Sequence, residues 1–255
     1  MLVLVLAVVA AVGLVALAAF LFRMFDHGTD DRDPRGMSAG HAGSMLSSLF
    51  LLVFAIAVVV PWATADSARQ NTYAESQALV ETYWAAGGLP SPDGAQVQDE
   101  LRDYTRYVIG KEWPAMAGGA LSTEGTTRLE SMRTRVAALQ PAGDDAREAR
   151  SAVLDRMADL FSARRQRAAD ARTSPPPGVL LLTIVTGVVV VLYPFIAGAR
   201  PRGAALLPMT LMAGLLAIGV YLAFDIAHPF SGGLAVRPDA FVNALDEFQR
   251  IPEGR

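Results

Sequence analysis

Polar and apolar positions along this chain alternate in blocks rather than in register. Four stretches contain no Asp, Glu, Lys or Arg: 1–22, 36–65, 173–199 and 203–224. A helix needs about 20 apolar residues to cross a bilayer, and each stretch is that long or longer. The pattern predicts spans over 1–22, 45–63, 178–197 and 203–224, with a polar loop over 23–44. Residues 2–22 are too long for the apolar core of a signal peptide and follow no basic segment, so they read as a retained membrane helix. Pro61 and Trp62 mark the end of the second span, where a tryptophan ring suits the headgroup layer.

Residues 64–177 follow a different rule. Their 14 basic and 16 acidic residues are interspersed, and apolar residues recur at helical spacing. Val97, Leu101, Tyr104 and Val108 share one helix face, as do Leu129, Met132, Val136 and Leu139, and then Val153, Met157, Leu160 and Phe161. Tyr73, Val80, Tyr83 and Trp84 make an earlier set. Breakers at 87–90, at Pro114 with Gly118 and Gly119, and at 141–143 separate four amphipathic helices, near 66–86, 94–117, 123–140 and 144–173. Asp144 is the expected N-cap of the last. Trp84, Trp113, Tyr104 and Tyr107 read as core. The expected fold is all-α: a polytopic membrane protein with four spans and a helical soluble region, 64–177, inserted between the second and third. The tail, 225–255, adds a turn and a short helix near 238–249.

Composition supports this division. The chain is 52% hydrophobic and 18% charged, with mean hydropathy +0.32. Soluble domains carry about 25% charged residues. Net charge is −3, with no long basic stretch to bind nucleic acid. Cysteine is absent, which excludes disulfides and thiolate metal sites. Lys111 is the only lysine. Arg23, Arg32, Arg35, Arg200 and Arg202 gather on the short-loop side, which leans the helical region to the outside of the membrane. Arg164, Arg165, Arg167 and Arg172, before the third span, nearly balance that count.

Candidate chemistry is sparse. Asp225 and His228 in the tail are an acid/base pair by type, but with no nucleophile or metal partner they read as part of a structured turn. Asp26, His27, Asp30, Asp31 and Asp33 cluster oxygen ligands, yet without calcium-loop spacing, so no metal site is expected. Arg164, Arg165, Arg167 and Arg172 either face anionic lipid or attract anions to a mouth, or else form a solvated, topology-setting face. No phosphate-binding loop, nucleophile elbow or zinc-helix motif occurs, so neither an enzyme nor a cofactor is expected.

The tail reads FDIAHPFSGGLAVRPDAF over 224–241. It resembles the C-terminal signature of bacterial bestrophin-like domain proteins, matched here by Asp225, His228, Pro229, Phe230, Ser231, Gly232, Val236, Pro238 and Phe241. ESQALVETYW (75–84), KEWPAM (111–116) and the Arg164-Arg165-x-Arg167 motif resemble the same family, with Ala168 departing from it. The layout of two spans, a helical region and two spans is also similar. The family's name rests on a proposed distant relation to bestrophins, pentameric channels that mainly conduct anions and whose second span lines the pore. The resemblance therefore implies a homo-oligomer in a bacterial cell membrane and a cytosolic helical region, against the charge count. A hydrophobic second span gating by dewetting would place Ser47, Phe50 and Phe54 on its lumen. The alternative is a membrane-anchored interaction or sensor protein whose 64–177 region binds a protein partner.

Overall fold

The computed structural model describes residues 2–24, 37–173, 177–196 and 206–250. Their regular structure is helical, with no strand among them. The acidic loop residues Asp26, His27, Asp30, Asp31 and Asp33, and the Arg200–Arg202 turn, lie outside them. The helices are α1 (Leu2–Met24), α2 (Met37–Ala86), α3 (Asp93–Tyr107), α4 (Trp113–Met116), α5 (Thr123–Ala138), α6 (Asp144–Arg172), α7 (Pro177–Ile196), α8 (Leu206–Ile226) and α9 (Asp239–Arg250), with a π-helical turn at Val108–Glu112. They fall into two compact units. The first holds 1–62 and 175–227, the second 63–174 and 228–255.

In the first unit, α1 packs on α7 and α8, and α7 on α8. Val15, Ala18, Val191, Phe195 and Ala213 fill the seam. Small residues let the backbones approach, as they do in packed membrane helices. Phe50 and Phe54 of α2 reach across to glycine notches: a Cβ on Gly187 of α7 would sit 3.3 Å from the Phe50 ring, and one on Gly219 of α8 only 2.6 Å from the Phe54 ring. The outward faces are apolar as well. Three helical stretches, Gly43–Ala86, Gly178–Ile196 and Leu206–Ile226, are long and apolar enough to cross a membrane, and a shorter apolar stretch runs over Val5–Leu21.

Two expected breaks are absent. α2 begins inside the stretch read as loop and continues through Pro61 to Ala86 as one helix. Proline removes one ladder hydrogen bond and strains the turn before it, but apolar helix former on both sides carries the helix past it, as membrane helices allow. The second unit's third helix also differs from a simple 94–117 rod. Pro114 has no N–H to donate, and just before it the chain widens into the π-helical turn, where the Trp113 N–H bonds to the Val108 carbonyl.

The second unit has a conventional core. The predicted stripes on α3, α5 and α6 are buried, Leu101, Leu129 and Leu160 completely, except at Leu139 and Phe161, which are half-buried at the core's edge. Ser122 caps α5, its hydroxyl accepting from the Glu124 N–H at 3.2 Å. α6 departs from expectation: Gly143, at φ 94°, is the N-cap, and Asp144 stands inside the first turn, where its carboxylate pairs with Arg147 at 2.6 Å. Gly94 touches the end of α2 so closely that a Cβ would lie 2.6 Å from the Ala86 carbonyl oxygen. The tail belongs to this core. Phe230, Phe241 and Phe248 are buried in it, Tyr83 stacks on Phe248 at 4.4 Å, and the Ser76 hydroxyl donates to the Ala240 carbonyl at 2.6 Å.

Candidate functional site

At the centre of the second unit lies a closed set of buried charges. α6 carries Val153, Met157 and Leu160 on its inward stripe, and Arg164 and Arg167 continue the same spacing. They are 4% and 0% exposed. Arg167 grips Glu75 of α2, its Nε donating to Oε2 at 2.6 Å and an Nη to Oε1 at 2.9 Å. The same Nη donates to Glu112 at 2.8 Å. Arg164 holds Glu112 through both Nη atoms, at 2.8 and 2.7 Å. It also donates to the Tyr104 hydroxyl at 2.7 Å and to the Ser122 carbonyl at 3.0 Å. Tyr104 in turn donates to Glu75 at 3.2 Å. Two guanidinium groups thus face two carboxylates, all hydrogen-bonded, the arrangement that makes buried charge tolerable.

Aromatic rings complete the enclosure. The Arg167 guanidinium lies 5.2 Å from the Phe241 ring centroid and 5.7 Å from that of Trp113, within cation–π range. Trp113 meets Phe230 edge-on at 5.6 Å and donates through Nε1 to the Val236 carbonyl at 3.3 Å. The π-helical turn sets this geometry, ending on Glu112 and presenting it inward beside Trp113. Gly125 of α5 makes room: a Cβ there would overlap the Glu112 carboxylate and the Arg164 guanidinium.

Burial by itself pushes the Glu112 carboxyl up, but the Arg164 hydrogen bond and both guanidinium charges reverse this and hold it below its ordinary value. Burial works against the arginine charges too, and their carboxylate partners win, so both are raised. Burial and the Glu75 charge raise the Tyr104 phenol far above its usual range, so it stays protonated and donating. The shifts of Glu112, Arg164 and Arg167 all favour their charged forms, and the two guanidinium groups are matched by the two carboxylates. The network is a clasp joining α2, α3, α5, α6 and the tail.

The other candidate residues scatter. Arg165 and Arg172 are exposed, but Arg164 and Arg167 face neither lipid headgroups nor an ion path, because their helix face is the core face. Phe50 and Phe54 point at α7 and α8 of their own chain, not away from it, and of the pore candidates only Ser47 is exposed. Trp84 and Tyr73 are 54% and 52% exposed rather than core. Asp225 closes α8 in the first unit, and His228 opens the second unit's returning segment. From there His228, Pro229, Phe230 and Ser231 line a pocket with the ends of α4 and α6. Gly232, at φ 93°, turns the chain beyond it. Among the described residues no group of three or more His, Cys, Asp or Glu is placed to hold a metal ion.

The stretch from α1 to the start of α9 matches a known pattern. The model of the Bestrophin-like domain covers residues 7–241. The chain belongs to the Bestrophin-like family. That range takes in both units, the buried clasp and the tail turn. Membership and the apolar helices together fit a membrane protein. No curated protein and no solved structure matches the chain.

Sequence reasoning passed over Glu75 and Glu112. A signal existed for both. Arginines at 164 and 167 occupy stripe positions continuing 153, 157 and 160, and a buried guanidinium requires buried carboxylates.

Proposed function

We propose that this chain is an integral membrane protein of a bacterial cell membrane, with α1, the first part of α2, α7 and α8 as its four spans, and that it assembles as a homo-oligomeric, bestrophin-like channel for small anions. The observation that carries this reading is the outward face of α2. Met45, Leu49, Leu52, Ile56 and Val59 recur at helical spacing and are exposed, while Phe50 and Ala57 are buried. A continuous apolar row of this kind requires lipid or another copy as its surroundings. α1, with 23 residues, extends for about 35 Å, enough for the ~30 Å hydrocarbon layer. In a ring, fivefold by analogy with bestrophins, this exposed α2 row lines the axis, with Ser47 on the opposite side of the helix at the spacing of Phe50 and Phe54, and an apolar lining gates by wetting and dewetting.

Imaging the full chain in detergent, together with anion efflux from liposomes, tests this. A ring with a central opening and flux supports the reading; a monodisperse monomer without flux rejects it. Exposed Trp84 and Tyr73 favour the second reading, a membrane-anchored protein that binds a partner through its helical unit, since exposed aromatics commonly anchor protein contacts.

A further inference from the structure

We propose that the pocket closed by the tail turn binds a phosphate group. It has a volume of about 360 Å³ and lies within the second unit. Three segments wall it: the end of α4 with Gly118 and Gly119, the end of α6 with Arg172 and Thr173, and the turn from His228 to Ser231. The lining offers the Arg172 guanidinium, the His228 imidazole and the Ser231 hydroxyl, and no Asp or Glu, while the Thr173 hydroxyl already donates to the Ala169 carbonyl at 3.0 Å. That is the chemistry of oxyanion recognition, in which a planar guanidinium fork takes two oxygens and hydroxyl donors take the rest.

Two of these groups are uncommitted. Arg164 and Arg167 of the same helix are saturated by carboxylates. Arg172 is exposed at the pocket and, among the described residues, neither pairs with a carboxylate nor donates a hydrogen bond, and the Ser231 hydroxyl has no partner there. The turn itself is firmly held, because the Val236 N–H bonds to the Pro229 carbonyl at 2.7 Å and Phe230 is locked against Trp113. The ligand groups are thus mounted on fixed backbone, which lowers the ordering cost of binding. The volume exceeds what a bare phosphate fills and leaves space for a small substituent.

A phosphate reaches such a site from a lipid headgroup or from solution. Thr173 precedes α7 and His228 follows α8 in the chain, so a lipid source rests on those helices being spans. The phosphate chemistry itself does not depend on that.

Calorimetric titration of the full chain in non-ionic detergent separates the cases, with inorganic phosphate, dioctanoyl phosphatidylglycerol and dioctanoylglycerol as probes. At least one phosphate probe is expected to bind and dioctanoylglycerol not to. Arg172→Gln is expected to weaken binding roughly tenfold, the size of one charge-assisted hydrogen bond. Ser231→Ala weakens it less, and Arg165→Gln, exposed but outside the pocket, leaves it unchanged. Matched melting temperatures check that the variants are folded. Binding of the lipid alone assigns a headgroup site; equal binding of inorganic phosphate assigns a soluble source. Phosphate binding that depends on Arg172, in a chain that fractionates without detergent as a soluble protein, keeps the site and removes the membrane reading. The proposal is overturned if neither phosphate probe binds, if dioctanoylglycerol binds equally, or if Arg165→Gln costs as much as Arg172→Gln.

Discussion

The two units solve opposite problems with one chain. On the proposed membrane reading, the surroundings of the first are as apolar as its interior, so burial of hydrocarbon gives little drive and fit must supply the order: alanine seams along α1 and α8, phenylalanine rings seated at glycines 187 and 219. In the second, on the same reading, water drives a hydrophobic core together, and that core then holds four charged groups that water would otherwise solvate. The lesson is that charge is sparse along the apolar helices, where Asp225 stands at the end of α8, and becomes central where partners come from several helices at once.

Breaking the clasp has the largest expected effect. Arg167→Met leaves Glu75 and Glu112 short of a partner in a dry interior and is expected to destabilise the second unit by about 3–5 kcal/mol. Chemical denaturation of the full chain, followed by fluorescence of Trp113 in a background with Trp62→Phe and Trp84→Phe, reads it. A loss below 1 kcal/mol would mean that water reaches the clasp.

A matched pair of truncations sharpens the contrast of solvents. Phe241→Ala in the second unit is expected to cost about 3–5 kcal/mol, since both hydration and packing are lost. Phe50→Ala in the first is expected to cost clearly less, because only packing is lost where lipid replaces water. Equal losses would place the first unit in water.

Acid acts on one unit selectively. The folded Glu112 carboxyl lies below its unfolded value, so its contribution is fully present above the ordinary carboxylate range and is lost as pH falls through the folded value. The second unit's melting temperature should therefore drop below about pH 4, where unfolded carboxyls begin to take up protons, while helical content from the first unit persists. Glu112→Gln should flatten that drop.

The smallest effect is at the surface. Arg128 and Glu124 on α5 pair at 2.6 Å with both side chains about half exposed. Glu124→Ala is expected to cost less than about 1 kcal/mol, with the difference shrinking in high salt.

Much of this architecture is written in spacing. The stripes through Leu101, Leu129 and Leu160 are periodic, and periodicity is what burial against water leaves in a sequence. Continuity through Pro61 was not legible, because a proline that ends a helix and one a helix absorbs look alike without the neighbours. Trp84 and Tyr73 misled for a related reason: the buried register of α2 runs through Thr72, Glu75, Leu79 and Tyr83, and a polar pair at 72 and 75 hides it. The clasp was half visible, in two arginines at core positions. Its carboxylates come from α2 and from a π-helical turn, and only the fold brings those together.

The π-helical turn that aims Glu112 inward leaves its neighbour, Lys111, facing outward. As the chain has no other lysine, an amine-acylating dye applied after the N-terminal amine has been blocked marks this position, next in sequence to the buried Glu112. Loosening of the clasp is then readable as a change in one fluorophore's surroundings, without substituting any residue of the protein.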